Sequence, residues 1–205
     1  MTATPNPCWQ PSPQRSCPVA EPALVLASAS PRRHELLARI VDSFDIVSTD
    51  VDETPLLDEE PTAMVERLAI SKAEAGAAAR TDAVVLGADT TVALDGQAIG
   101  KPVDPADARR ILQALSGRTH EVHTAVAMAA PARPTVVRTV TAAVTFADLG
   151  AEEIDWYVAT GEPMGKAGAY AIQGAGAVLV ERVVGDPSTV IGLPMRAVSR
   201  LLGAR

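Results

Sequence analysis

The chain has 205 residues, 47% of them hydrophobic and 21% charged, with a formal net charge of −7. That length suits one domain with an extension, and that composition excludes a wholly disordered chain. The acidic balance argues against a general grip on nucleic acid, and no apolar run reaches the ~20 residues that span a membrane. A small phosphorylated ligand stays open, because it needs only a local cluster of Lys and Arg or a bound cation.

Residues 1–22 hold six of the 16 prolines and almost no aliphatic side chains. Such a segment cannot bury enough apolar surface to offset its ordering entropy, so a disordered tail is expected there. Cys8 and Cys17 both fall in it and cannot staple the body of the chain. This cysteine usage fits a reducing cytosol, hence a cytoplasmic location. The run Ala23–Ala29 follows Arg15 and ends in Ala-Ser-Ala, yet it is too short for a signal-peptide core and reads better as a buried strand.

From Ala23 the elements alternate. Ala23–Ala27 is a short apolar strand. Ser30 and Pro31 form an N-cap and first helical position, with Leu36, Leu37 and Ile40 as the apolar stripe. Phe44–Ser48 is a strand, Thr49–Glu60 an acidic loop, and Pro61–Arg80 a long helix with Met64, Leu68 and Ala75 inward. Ala83–Ala88 is a continuous apolar run of central-strand type, carried on through Thr90–Leu94 to an Asp95-Gly96 hairpin turn. Pro105–Leu115 is a helix. His120–Ala129 and Thr135–Phe146 form an antiparallel hairpin around a Pro-Ala-Arg-Pro turn. Ala151–Ala159 is a helix, Ala175–Val184 a strand, and Ile191–Leu202 a last helix opened by Asp186-Pro187-Ser188. Helices mixed with strands and a hairpin indicate an α/β fold with a mixed sheet.

Several stretches carry chemistry. Ser28-Ala-Ser-Pro-Arg-Arg33 puts two hydroxyls and two guanidiniums at a strand–turn–helix junction. That suits a phosphate, or equally a capped helix with solvated arginines. Asp89 follows the most apolar strand, where ligands gather in α/β sheets. It suits a general base or a metal ligand, or else an Asp opening a turn. Asp50, Asp52 and Glu53 form an oxygen cluster for a hard cation, or a solvated loop. Lys72 and Lys101 are isolated lysines. Gly165–Tyr170 and Ile172–Gly176 are glycine-rich, so their backbones can approach a ligand closely. No P-loop, dinucleotide fingerprint or Gly-x-Ser-x-Gly elbow is present. His120 and His123 are three apart in a strand and face opposite sides.

Together these segments resemble the Maf family of nucleotide pyrophosphatases, once described as septum-formation inhibitors. The resemblance rests on Leu26-Ala-Ser-Ala-Ser-Pro-Arg-Arg33, Val51-Asp-Glu53, Leu68-Ala-Ile-Ser-Lys-Ala73, Leu86-Gly-Ala-Asp-Thr90 and Gly100-Lys-Pro102. It continues through Ser116-Gly-Arg-Thr-His120, Lys166-Ala-Gly-Ala-Tyr170, Ile172-Gln-Gly174 and Val190-Ile-Gly-Leu-Pro194. It implies one catalytic domain over residues 23–205. The implied fold is elongated, with a mixed sheet and a cleft between two lobes, similar to inosine-triphosphate pyrophosphatases. The implied reaction cleaves a nucleoside triphosphate to its monophosphate and pyrophosphate with Mg²⁺ or Mn²⁺, and homodimers are common. Asp89 matches the family's proton acceptor. Glu53, with Asp89, matches the metal-holding carboxylates. Ser28, Arg33, Lys72 and Lys101 match phosphate-holding positions. Arg32, Thr90 and Gln173 match positions linked to base choice, in the combination of the dTTP/UTP subfamily, and Gln173 is expected to read the pyrimidine edge. Such an enzyme would clear the nucleotide pool or act in division arrest. The alternatives are the same reaction on 7-methyl-GTP or another modified nucleotide, and a non-catalytic nucleotide-binding regulator of septum formation. The tail of residues 1–22 has no counterpart in the family pattern.

Overall fold

The computed structural model describes residues 23–203. The proline-rich tail, with Cys8 and Cys17, lies outside the described residues. Seven strands make one mixed sheet: β1 (Leu24–Ala27), β2 (Asp45–Val47), β3 (Val84–Leu94), β4 (Gln97–Ile99), β5 (Thr119–Ala130), β6 (Arg133–Phe146) and β7 (Val180–Val184). Their order is β2-β1-β3-β5-β6-β7, with β4 against the far end of β3. β1 runs parallel to β2 and β3, and the remaining pairs are antiparallel. Six helices cover the sheet: α1 (Pro31–Leu37), α2 (Pro61–Ala79), α3 (Pro105–Leu115), α4 (Ala151–Ala159), α5 (Pro187–Ile191) and α6 (Met195–Leu201). Among the described residues no helix is long and apolar enough to cross a membrane.

β1 and the first half of β3 are apolar without alternation because both of their faces are covered. Leu26, Leu86 and Ala88 pack on one face with Leu36, Leu37, Leu193 and Val198 from α1, α6 and the chain before it. Val25, Ala27 and Val85 pack on the other face, where α2 lies. Farther along, Val92, Val122, Val144 and Phe146 build a third cluster with α3 and α4.

Met64, Val65 and Leu68 are buried in the first half of α2, as expected for Met64 and Leu68, and where the helix crosses β1 and β3 its inward residues are small, which lets it sit directly on the sheet. A Cβ at Gly87 would lie 2.3 Å from the Ala69 carbonyl oxygen and 2.5 Å from the Ala73 nitrogen. Gly76 likewise meets Val85 and Ala27, so Ala69, Ala73 and Gly76 form the contact stripe and Ala75 is only half-buried. The expected Asp95-Gly96 turn is present, with both residues at positive φ (52° and 77°) as a two-residue hairpin requires.

Three elements differ from the sequence expectation. The run expected as a strand from Ala175 is a 3-10 turn over Ala175–Leu179, and only Val180–Val184 is extended. The last helix is two short ones, because Gly192 turns left-handed (φ 118°) and Pro194 follows. β6 begins at Arg133, so the hairpin turns at Pro131 and Ala132, with Ala132 at φ 56°.

Candidate active site

β3 is paired along its β5 edge from Val85 to Ala93. On its other edge β1 stops at the Ala27–Gly87 pair and β4 starts at the Val92–Ile99 pair. The stretch Ala88–Thr91 therefore has no strand beside it on that edge. A cavity of about 520 Å³ opens over this gap, and Asp89 and Thr90 both line it although they point to opposite faces of the sheet. Five cationic side chains (Arg32, Arg33, Lys72, Lys101, Lys166) and two carboxylates (Glu53, Asp89) line the same cavity. The protein is acidic as a whole, yet this concave surface carries an excess of three positive charges and favours a polyanion.

On the α2 face, the close approach at Gly87 brings Lys72 beside Asp89. Lys72 Nζ donates to Asp89 Oδ1 at 2.6 Å and meets Glu53 Oε1 at 2.6 Å. Lys101, two residues beyond β4, donates to Glu53 Oε2 at 3.1 Å. Burial raises the Glu53 carboxyl, but the bonds from Lys72 and then Lys101 outweigh it and hold the group at about 2. Asp89 is 8% exposed, and its Oδ2 has no partner among the described residues. The loop that delivers Glu53 is braced from α2. Arg67 forks onto Glu59 at 2.6 and 2.7 Å and donates to the Thr54 carbonyl at 3.2 Å. Asp52 turns back to accept the Thr54 N–H at 2.9 Å, and neither it nor Asp50 lines the cavity.

On the opposite face, Arg33 joins four segments. Its Nε donates to the Gly192 carbonyl at 2.8 Å, Nη1 to the Ala88 carbonyl at 2.9 Å and Ser28 Oγ at 3.3 Å, and Nη2 to Thr90 Oγ1 at 3.1 Å. Desolvation lowers the Arg33 pKa, and the charge of Asp89 opposes that effect. Most of this guanidinium is spent on the protein, so it shapes the cradle. Arg32 beside it lines the cavity with no hydrogen-bond partner among the described residues; burial lowers its pKa, and Tyr157 and Glu162 nearby oppose that effect. Ser30 stands at the N-cap of α1, but its side chain makes no capping bond. His34 Nε2 instead ties the turn, at 2.7 Å from the Ser28 carbonyl.

Residues 23–205 match the family model described as Maf-like protein. The chain belongs to the Maf family. A Maf relative from Moorella thermoacetica named dTTP/UTP pyrophosphatase is 54% identical over 180 residues, covering 87% of this chain and 93% of that protein. A second, from Myxococcus xanthus and carrying the same name, is 50% identical over 179 residues, covering 87% and 90%. The Maf fold here is also similar to a solved structure described as a HAM1 protein from Coxiella burnetii, at 18% identity and a TM-score of 0.53, covering 90% of this chain and all of that one.

Of the residues singled out from the sequence, Ser28, Arg32, Arg33, Glu53, Lys72, Asp89, Thr90 and Lys101 line this Maf cavity. Gln173 is exposed and stands outside the lining. Its loop is shaped by Glu162, which accepts from Tyr157 Oη (2.8 Å) and from the Gly176 (2.9 Å) and Ala175 (3.0 Å) N–H groups. Burial raises the Glu162 carboxyl, and these donors together bring it below its ordinary value. A Cβ at Gly174 would lie 2.0 Å from Glu162 Oε2, so the glycines of this loop allow approach to a carboxylate of the protein itself. Glu162, Thr124 and Lys166 were not among the residues singled out. Lys166 stood inside the Lys166–Tyr170 run, but nothing in the sequence marks Glu162 or Thr124. Apart from Tyr157, five residues before Glu162, their partners lie 13 to 65 residues away along the chain.

Proposed function

We propose that this protein hydrolyses dTTP and UTP between the α- and β-phosphates, releasing a nucleoside monophosphate and pyrophosphate. The observation that carries the reaction is the Lys72–Asp89 pair on the bare edge of β3, inside a cavity with an excess of cationic side chains. The choice of dTTP and UTP is supported by the names of relatives at 50–54% identity and by Arg32 and Thr90, which line the cavity, whereas Gln173, the third base-choice position that the resemblance implies, is exposed outside that lining. Ser28, Lys72, Lys101 and Lys166 hold the triphosphate, and Arg33 shapes the cradle beneath it. Asp89 orients water at its Oδ2 and takes the proton as the water oxygen attacks the α-phosphorus. The bond to the bridging oxygen breaks in the same step, and the pyrophosphate leaves with its charge met by the lysines. No covalent enzyme intermediate is needed.

A divalent cation belongs to this proposal. Among the described residues no group of three or more His, Cys, Asp or Glu side chains is placed to hold a metal. Two carboxylates, Glu53 and Asp89, face the cavity, which suits Mg²⁺ or Mn²⁺ held jointly by protein and phosphate oxygens. Such an ion supplies charge neutralisation on the triphosphate.

The test is pyrophosphate release from a panel of canonical and modified nucleoside triphosphates with Mg²⁺ or Mn²⁺, beside the Asp89→Asn variant. Release from dTTP and UTP that vanishes in the variant, with nucleotide binding retained, is expected. Turnover confined to 7-methyl-GTP or another modified base would overturn the base assignment. Binding without release by the wild type would overturn the reaction and favour a regulator.

A further inference from the structure

Thr90 lines the cavity, and its hydroxyl is part of a chain of bonds that runs from Arg33 into the core. Arg33 Nη2 donates to Thr90 Oγ1 at 3.1 Å. Thr90 Oγ1 lies 2.9 Å from Thr124 Oγ1, the residue opposite it on β5. Thr124 Oγ1 lies 2.8 Å from the Thr189 carbonyl oxygen in the middle of α5. Thr124 and Thr189 are both fully buried.

The direction of each bond follows from counting protons. A carbonyl oxygen has none to give, so Thr124 must donate to Thr189. A threonine hydroxyl holds one proton and two lone pairs. Thr124 has then spent its proton, and the bond between the two hydroxyls runs from Thr90 to Thr124. Thr90 in turn has spent its own proton, and one lone pair takes the Arg33 N–H. What remains to face the cavity is a single lone pair.

We infer that Thr124 is a positioning residue that sets this direction, so that Thr90 meets the nucleotide only as a hydrogen-bond acceptor. Phosphate oxygens are acceptors themselves, so Thr90 is not a phosphate-binding group. It takes a proton-bearing group of the nucleotide. On the substrates proposed above, the donors common to dTTP and UTP are the imide N3–H and the sugar 3′-hydroxyl. The inference rests on that functional reading for the nucleotide, and on the hydrogen-bond chain alone for the direction.

The experiment uses dTTP, its N3-methyl derivative and its 3′-deoxy derivative. Dissociation constants are measured in the Asp89→Asn background, and kcat/KM in the active protein. Each is read for Thr124 unchanged, Thr124→Val and Thr124→Ser. With Thr124 intact, one of the two analogues is expected to lose about tenfold in affinity, as the loss of one good hydrogen bond gives. The N3-methyl analogue identifies the imide as the donor, and the 3′-deoxy analogue identifies the sugar. In Thr124→Val the Thr90 proton is released to turn into the cavity. The ratio of dTTP to that analogue is then expected to fall several-fold, while Thr124→Ser restores it. A purely structural role would lower affinity for dTTP and the analogue alike and leave the ratio unchanged. An unchanged ratio in Thr124→Val, or no discrimination against either analogue with Thr124 intact, overturns the inference. Discrimination in binding by a protein that hydrolyses none of these nucleotides would uphold it and overturn the proposed reaction instead.

Discussion

Gly87 is the position where fold and chemistry meet most directly, and Gly87→Ala tests the connection. The added methyl would sit 2.3 Å from the Ala69 carbonyl oxygen and 2.5 Å from the Ala73 nitrogen, both backbone atoms of α2. Ordinary contact needs about 3.5 Å, so the helix must retreat by roughly 1 Å. The Lys72–Asp89 bond of 2.6 Å would open past hydrogen-bond range. Overpacking of this kind costs about 1–3 kcal/mol. At roughly 2–4 °C per kcal/mol for a chain this size, Tm should fall by about 2–12 °C. A misplacement of about 1 Å at a reacting group costs on the order of 10²-fold in rate. Scanning calorimetry and kcat for pyrophosphate release measure the two effects. Gly100→Ala is the control, since a Cβ there meets nothing within 4 Å. A Gly87→Ala protein with wild-type kcat and an unchanged Tm would refute the argument that this glycine sets the Lys72–Asp89 distance.

Two further outcomes follow from the geometry around the cavity. Arg67→Lys keeps the charge but loses the fork onto Glu59 and the bond to the Thr54 carbonyl. Limited proteolysis within residues 49–60 should quicken and kcat/KM should fall a few-fold, whereas an unaltered digestion pattern would remove Arg67 as the brace of the Glu53 loop. His120 is 1% exposed, edge-on to Phe146 (ring centroids 5.0 Å apart), with Nε2 2.9 Å from Tyr170 Oη and no partner for Nδ1 among the described residues. Desolvation lowers its pKa from 6.5 to about 4. The unfolded chain takes up a proton below 6.5 that the folded one refuses, so stability is lost as pH falls from 6.5 towards 4, by at most roughly 3 kcal/mol. Imidazole NMR should give His120 a midpoint near 4, and a midpoint near 6.5 for it would contradict the burial argument.

Much of this architecture was legible because local chemistry and global packing agree. Unalternated apolar runs marked β1 and β3 as strands covered on both faces. Asp95-Gly96 marked its own turn. The residues lining the cavity came mainly from compact motifs, Ser28–Arg33 and Asp89-Thr90, where several functional groups sit within a few positions of one another. The misreadings have a common physical cause. Ala175–Leu179 is as apolar as a strand, but Glu162 from another segment captures its N–H groups and curls it into a 3-10 turn. The apolar pattern from Ile191 to Leu202 fits one helix, yet the φ of Gly192 breaks it, and the break supplies the carbonyl that Arg33 binds. That bond joins residues 159 positions apart, which no local pattern discloses. The role of Arg33 was hidden for the same reason, since a sequence shows a guanidinium but not where its donors go.

The pairing of β3 with β5 runs unbroken through nine residue pairs, from Val85–Ala129 to Ala93–Glu121. A slip of one residue would leave the apolar content of the strand nearly unchanged, since both of its faces are buried. It would nevertheless exchange the two polar neighbours, turning the carboxylate towards Arg33 and the hydroxyl towards Lys72. Hydrophobic patterning cannot guard against that error here. The discrimination falls to Gly87, the one residue of β3 with no side chain to meet the backbone of α2 at Ala69 and Ala73. In this strand a residue without a side chain decides which face presents the carboxylate and which presents the hydroxyl.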